Sequence, residues 1–211
     1  MFNVCINCGQ YRVDKEIKSQ QGKTFAICPE CNYSHEFLQL PLFIVTGASG
    51  VGKSTAAYFI STLSKDYVPM ETDILWDNRY NTPDTDYREY RELWLRMAKN
   101  ISQADKPVIL CGTAMPDQLE SCVERRYFTS IHYLALVCES EELTQRLLNR
   151  PLWRNSSNKE FINGMISYNN WLLENGEKNN PVIDLLDTTN LSEQETAEKI
   201  LLWTSSKGVH S

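Results

Sequence analysis

Residues 42–60 read L-F-I-V-T-G-A-S-G-V-G-K-S-T-A-A-Y-F-I. The apolar run Leu42 to Val45 predicts a buried strand, and from Thr55 the residues Ala56, Phe59, Ile60 and Leu63 fall at helical spacing. Between them, Gly47 to Ser54 is G-x-x-x-x-G-K-S. Such a loop surrounds an anion when it follows a strand and opens a helix, and both conditions are met. Gly47, Gly50 and Gly52 permit a backbone curl that side chains would block. The N–H groups from about Gly50 to Ser54 would then point at the α- and β-phosphates from a helix N-terminus. Ala48, Ser49, Val51 and Thr55 complete the expected cradle. Lys53 would reach the β- and γ-phosphates, and the Ser54 hydroxyl would join a Mg²⁺ shell. Nucleotide binding on an α/β fold is the first expectation.

The chain downstream selects among nucleotide-binding proteins. The guanine-reading N-K-x-D and the switch D-x-x-G of GTPases are absent. A motor-type ATPase would need an apolar strand ending in an acid, but Val108 to Cys111 runs into Gly112. Glu139, after the apolar run His132 to Cys138, reads as part of the polar start of the next helix. A small-molecule kinase fits better. Tyr67 to Asp73 (Y-V-P-M-E-T-D) reads as a second strand with Asp73 at its C-terminal end, where open parallel sheets bind ligands. A carboxylate there can take the proton of a substrate hydroxyl and orient it for in-line attack; the competing role is a helix N-cap. Ser140 to Pro151 predicts a helix with Leu143 and Leu147 inward. Arg146 and Arg150 share a face, and Arg154 follows Pro151. Three converging arginines would stabilise charge on the transferring phosphoryl oxygens, against the alternative of a solvated basic face.

Upstream, Cys5, Cys8, Cys28 and Cys31 form C-x2-C, nineteen residues, C-x2-C. That spacing suits a four-thiolate zinc site, closed to water and therefore structural. Tyr11 and Val13 alternate with polar residues, Gly22 marks a turn, and Phe25 and Ile27 alternate again, so the expected module is a β-hairpin zinc ribbon over residues 1–36. So short a segment needs the metal for its folding energy. The short link Phe37 to Pro41 implies that the ribbon packs on the second domain, residues 37–211. Cys111, Cys122 and Cys138 read as buried small hydrophobes, Cys122 in a helix.

The chain has 211 residues and a net charge of −6. Its composition is globular, and its longest apolar runs fall far short of the roughly 18 residues of a membrane helix. A leader pattern at the N-terminus is absent, so the expected location is cytoplasmic, and the acidic balance argues against nucleic acid as a partner.

The loop G-A-S-G-V-G-K-S-T, the strand ending M-E-T-D, the stretch R-L-L-N-R-P-L-W-R and the late strand V-I-D-L-L-D-T resemble the small P-loop kinases. That group includes shikimate kinase, gluconate kinase, chloramphenicol phosphotransferase and nucleoside or nucleotide kinases. The resemblance covers about residues 41–205. It implies a P-loop NTPase fold, a five-stranded parallel sheet in the order 2-3-1-4-5 flanked by helices, with ATP and Mg²⁺ as co-substrate and an arginine-bearing lid. By position, Lys53 and Ser54 match the phosphate and Mg²⁺ residues, Asp73 the base, and Arg146, Arg150 and Arg154 the lid. Two departures stand out: Glu71 replaces the first acid of a D-x-D, and Gly112 to Pro116 replaces a G-F-P-R-type motif. They weaken shikimate kinase and a standard nucleoside monophosphate kinase respectively. A four-cysteine ribbon running into such a loop resembles bacterial ATPases described as nucleoside-kinase-like.

Elsewhere, Asp86 with Glu89 predicts a capping box opening a helix to about Ala104, with Tyr90, Leu93, Trp94, Met97 and Ile101 inward. Ser157 with Glu160 and Ser192 with Glu195 predict two more, the first with Phe161, Met165, Tyr168 and Leu172 at core spacing. Trp76, Arg79, Tyr80, Arg88 and Arg91 are candidate acceptor contacts, with plain loop surface as the competing reading. Thr189 to Ser192 would border the adenine. The leading functional expectation is an ATP-dependent phosphotransferase acting on a small molecule, a nucleoside or nucleotide first. Its rivals are a zinc-ribbon adaptor for nucleic acid or protein and a polynucleotide 5'-end kinase.

Overall fold

The computed structural model describes residues 3–154 and 156–208. The outermost residues of both expected domains lie outside the described residues. Strand β4 (Leu42–Thr46) is buried at every position. It sits at the centre of a parallel sheet with β5 (Val68–Glu71), β6 (Val108–Cys111), β7 (Ile131–Val137) and β8 (Ile183–Asp187). The order across the sheet is β5-β6-β4-β7-β8, which counted from β4 is 2-3-1-4-5. Strand alternation divides the core: Leu42 and Ile44 face Trp94, Leu95 and Leu119, while Phe43 and Val45 face Ala56, Ile60 and Ile200. The second face is covered by α1 (Lys53–Leu63) and α6 (Glu193–Ser206), the first by α2 (Arg88–Ile101) and α3 (Pro116–Glu120). Helices α4 (Ser140–Leu148) and α5 (Lys159–Asn175) pack on each other beside the loop that follows β4. Among the described residues no helix is long and apolar enough to cross a membrane.

Helix α2 departs from its sequence reading. Asp86 and Tyr87 both take positive φ, 53° and 57°, and no side chain caps the helix. The Asp86 carboxylate instead accepts from Gln118 Nε2 at 2.6 Å, so the expected capping box does not form. The buried stripe is Tyr90, Arg91, Trp94, Leu95, Ala98 and Lys99, one residue around from the expected Leu93 and Met97. The cap of α5 also moves: Asn158, not Ser157, accepts from the Glu160 and Phe161 N–H groups. The Ser192–Glu195 capping box forms as expected. Cys122 lies in the turn after α3 rather than in a helix, and it is buried like Cys111 and Cys138.

The N-terminal sheet has three strands, not a single hairpin: β1 (Glu16–Gln20), β2 (Lys23–Ile27) and β3 (Ser34–Phe37), antiparallel in that order. Tyr11 makes only an isolated bridge to Val4, because the first knuckle uses this stretch to turn. This sheet is seated on the larger body. Phe37 meets Tyr127 edge-on at 5.7 Å over Ala26, and Gln103 pairs with both the N–H and the carbonyl of Leu38, each at 2.9 Å. Glu124, 1% exposed, accepts from Asn3 at 3.1 Å and Arg96 at 2.9 Å, and forms an ion pair with the equally buried Lys99.

Candidate active site and cysteine cluster

The loop after β4 is shaped by its glycines. Gly47 takes φ +133°, and a Cβ there would stand 2.4 Å from the Leu136 carbonyl oxygen, so only glycine fits. The loop runs directly into α1, whose first residues are Lys53 and Ser54. With the ends of β5 and β6 and the segment after β8, it encloses a cleft of about 660 Å³. That volume suits a nucleotide, and the position, outside the carboxyl ends of the strands, is where open α/β sheets bind ligands.

The cleft gathers Ser49 to Thr55, Glu71, Asp73, Arg146 and Arg150. Gly47 and Ala48 lie just behind it: Lys53 Nζ donates to both of their carbonyl oxygens at 2.8 Å. Lys53 is half-buried by surface, yet its ammonium is enclosed, and loss of solvation pushes its pKa down to about 8 despite the opposing pull of Asp73. Asp73 is exposed and sits in a 3-10 turn (Thr72–Leu75) two residues beyond β5, rather than at the strand's last position. Ser54 Oγ donates to Glu71 Oε1 at 2.5 Å. The sequence reading passed over Glu71 as a departure from D-x-D; its only signal there was an acid at the end of the second strand.

The three arginines separate. Arg146 is spent on the protein: Nε donates to Glu142 at 2.7 Å, and the terminal nitrogens donate to Thr188 Oγ1 at 3.0 Å and to the Thr188 carbonyl at 2.8 Å. It braces the segment after β8 against α4. Helix α4 ends at Leu148, so Arg150 does not continue its face, but it still lines the cleft. Burial lowers the pKa of Arg150, Arg154 adds to the shift, and Asp73 opposes it. Arg154 lies over the exposed Trp153 ring at 4.4 Å and is not part of the cleft wall. Of the expected adenine border, Leu191 and Ser192 line the cleft.

Among the acceptor candidates, Trp76 packs on Tyr87 and Tyr90, Arg79 lies over Tyr80, and Arg88 donates to Ser121. Arg91 alone turns inward.

The four N-terminal cysteines converge, with their sulfurs all within 4.8 Å of one another. Cys5 and Cys31 are 3.7 Å apart and Cys8 and Cys28 3.8 Å. A disulfide needs about 2.05 Å, whereas a tetrahedron with Zn–S bonds of about 2.3 Å has an edge of about 3.8 Å. The cluster therefore fits zinc. The two knuckles are built alike: Gly9 N donates to the Cys5 carbonyl, and Asn32 N to the Cys28 carbonyl, with both residues at positive φ.

No family model and no curated protein matches the chain. Solved structures do. A sugar kinase from Janibacter sp. HTCC2649 superposes with a TM-score of 0.51 at 18% identity, covering 80% of this chain and 95% of that one. The tunicamycin resistance protein of Deinococcus radiodurans superposes with a TM-score of 0.56 at 18% identity, covering 82% and 98%. At these identities the likeness establishes the fold, which is that of the small P-loop kinases.

Proposed function

We propose that the protein is an ATP-dependent kinase that moves the γ-phosphoryl group of ATP to a small-molecule acceptor, a nucleoside or nucleotide first among the candidates. The observation that carries this reading is the convergence of Lys53, Ser54, Glu71 and Asp73 on one cleft at the strand ends. Residues Gly47 to Thr55 cradle the phosphates through backbone N–H groups, and Lys53 exchanges its two carbonyl partners for phosphate oxygens. Ser54 and Glu71 would hold Mg²⁺, which supplies charge neutralisation for the leaving diphosphate. Asp73 accepts the proton of the acceptor hydroxyl and orients its oxygen in line with the phosphorus. Arg150 lies where negative charge spreads over the transferring oxygens, while Arg146 and Arg154 act from outside, the first as a brace and the second from the lid. Superpositions on kinases support the reaction class through their shared fold.

Residues 1–36 are proposed as a zinc ribbon whose four thiolates leave no open coordination position, so the metal is structural. Residues 37–211 carry the chemistry.

The reading is tested by ATP consumption across a panel of nucleosides, nucleotides, sugars, antibiotics and short oligonucleotides. Turnover above background with a hydroxyl-bearing small molecule is expected. Turnover with oligonucleotide 5'-ends alone would replace the acceptor class, and none with any acceptor would end the kinase reading.

A further inference from the structure

The inward arginine of α2 has no counter-charge. Arg91 is 8% exposed, and among the described residues no carboxylate comes within 4.0 Å of it. Its Nε has no hydrogen-bond partner, and neither has Nε1 of the fully enclosed Trp94. Both side chains line a cavity of about 10 Å³ walled by Thr72, Gly112 and Ala114. The Tyr90 and Tyr87 rings lie 5.7 and 6.0 Å from the guanidinium carbon. Stacking on aromatic faces offsets only part of the penalty for taking an ion out of water. A single water, the most this cavity holds, could accept from both donors but would bring no negative charge. Burial also pulls the guanidinium pKa down, the direction expected of a cation held without its partner.

The cavity adjoins the cleft. Gly112 lines both, and Thr72 stands between Glu71 and Asp73 in the chain. Gly112 and Thr72 form a thin wall: a Cβ on Gly112 would fall 2.0 Å from Thr72 Oγ1. Asp86 and Tyr87, the two consecutive residues at positive φ, immediately precede the helix that carries Arg91 and give it a strained pivot.

We propose that Arg91 and Trp94 form an oxyanion subsite for the phosphoryl acceptor, opened by a shift of α2 about Asp86 and Tyr87. The acceptor is then a hydroxyl compound that also carries a phosphate monoester or a carboxylate, and not a neutral molecule. This rests on the kinase reading and narrows its acceptor.

The test measures melting temperature with the full-length protein saturated with Mg²⁺ and a non-hydrolysable ATP analogue, so that the phosphate loop is filled. Inorganic phosphate and acetate are titrated separately, with chloride as the ionic-strength control. Wild type is expected to melt higher with one of the two anions by binding linkage, and Arg91→Met to lose that response. Phosphate as the effective anion identifies a phosphate monoester, acetate a carboxylate. Because it removes an uncompensated buried charge, Arg91→Met is also expected to melt no lower than wild type without anion. An anion response equal in wild type and variant, no response in wild type, or a variant that melts lower without anion would overturn the subsite. If Arg91→Met does not fold, Arg91→Lys, which keeps charge but loses the planar fork, is titrated instead and is expected to respond at least several-fold more weakly. Failure of the ATP analogue itself to raise the wild-type melting temperature would count against the kinase reading, not against Arg91.

Discussion

Lys53 and Lys99 are both pushed by burial down to a pKa of about 8, and they sit in different worlds. Lys99 is enclosed at the seam between the two sheets, paired with a Glu124 that also accepts from Arg96 and Asn3, and it stands 3.9 Å from the Tyr127 ring centroid. Lys53 has only two carbonyl oxygens of its own loop, with Asp73 and Glu71 acting at longer range. Where the task is to hold two parts together, the protein provides the counter-ion. Where the task is to receive phosphate, it leaves that place to the ligand, and Arg91 belongs with the second kind.

The contrast can be broken most forcefully at Lys53. Lys53→Ala is expected to reduce ATP turnover by roughly 10³-fold or more, since it removes the cation nearest the transferring charge. A rate close to wild type would erase the distinction between the two lysines. Asp73→Asn is expected to lower kcat by roughly 10²- to 10⁴-fold while calorimetry finds nucleotide affinity close to wild type; equal loss of affinity would make Asp73 a binding group instead.

At the seam the readout is stability. Glu124→Gln strands a buried cation and is expected to cost about 3–5 kcal/mol in denaturant titrations, while the double change Lys99→Met with Glu124→Leu recovers most of that loss. A double variant as unstable as the single one would show that the pair holds the seam by more than mutual neutralisation. The smallest effect is in pH. The Lys53 pKa is lowered in the fold, so the ammonium is fully charged below about 8 and is lost above it. ATP affinity should therefore be flat below about pH 8 and fall above it by at most about tenfold per unit, with the fall absent in Lys53→Met.

What the sequence made legible was local. The phosphate loop, its strand and helix, and the two cysteine knuckles each lie within a few residues, so their spacing carries their geometry. Partners distant in the chain were not legible. Arg91 and Lys99 fell outside the expected stripe of α2, because nothing near Lys99 announces Glu124, twenty-five residues on. Asp86 looked like a cap until Gln118, thirty-two residues away, took its carboxylate. Arg146 looked like a catalytic arginine for the same reason, since its partner Thr188 lies across another strand. Glu71 needed Ser54 beside it before its position had meaning.

The clasp at Leu38, whose N–H and carbonyl are both held by Gln103, sets how the molecule can be divided. Trimming the chain at this link would uncover the Tyr127 ring and open the Lys99–Glu124 pair to solvent on the side that Asn3 and Phe37 now close. The amputated body would carry a sticky, wet flank, so truncation is a poor route to a smaller working protein, and the cysteine module is best regarded as the finishing wall of the body it sits on.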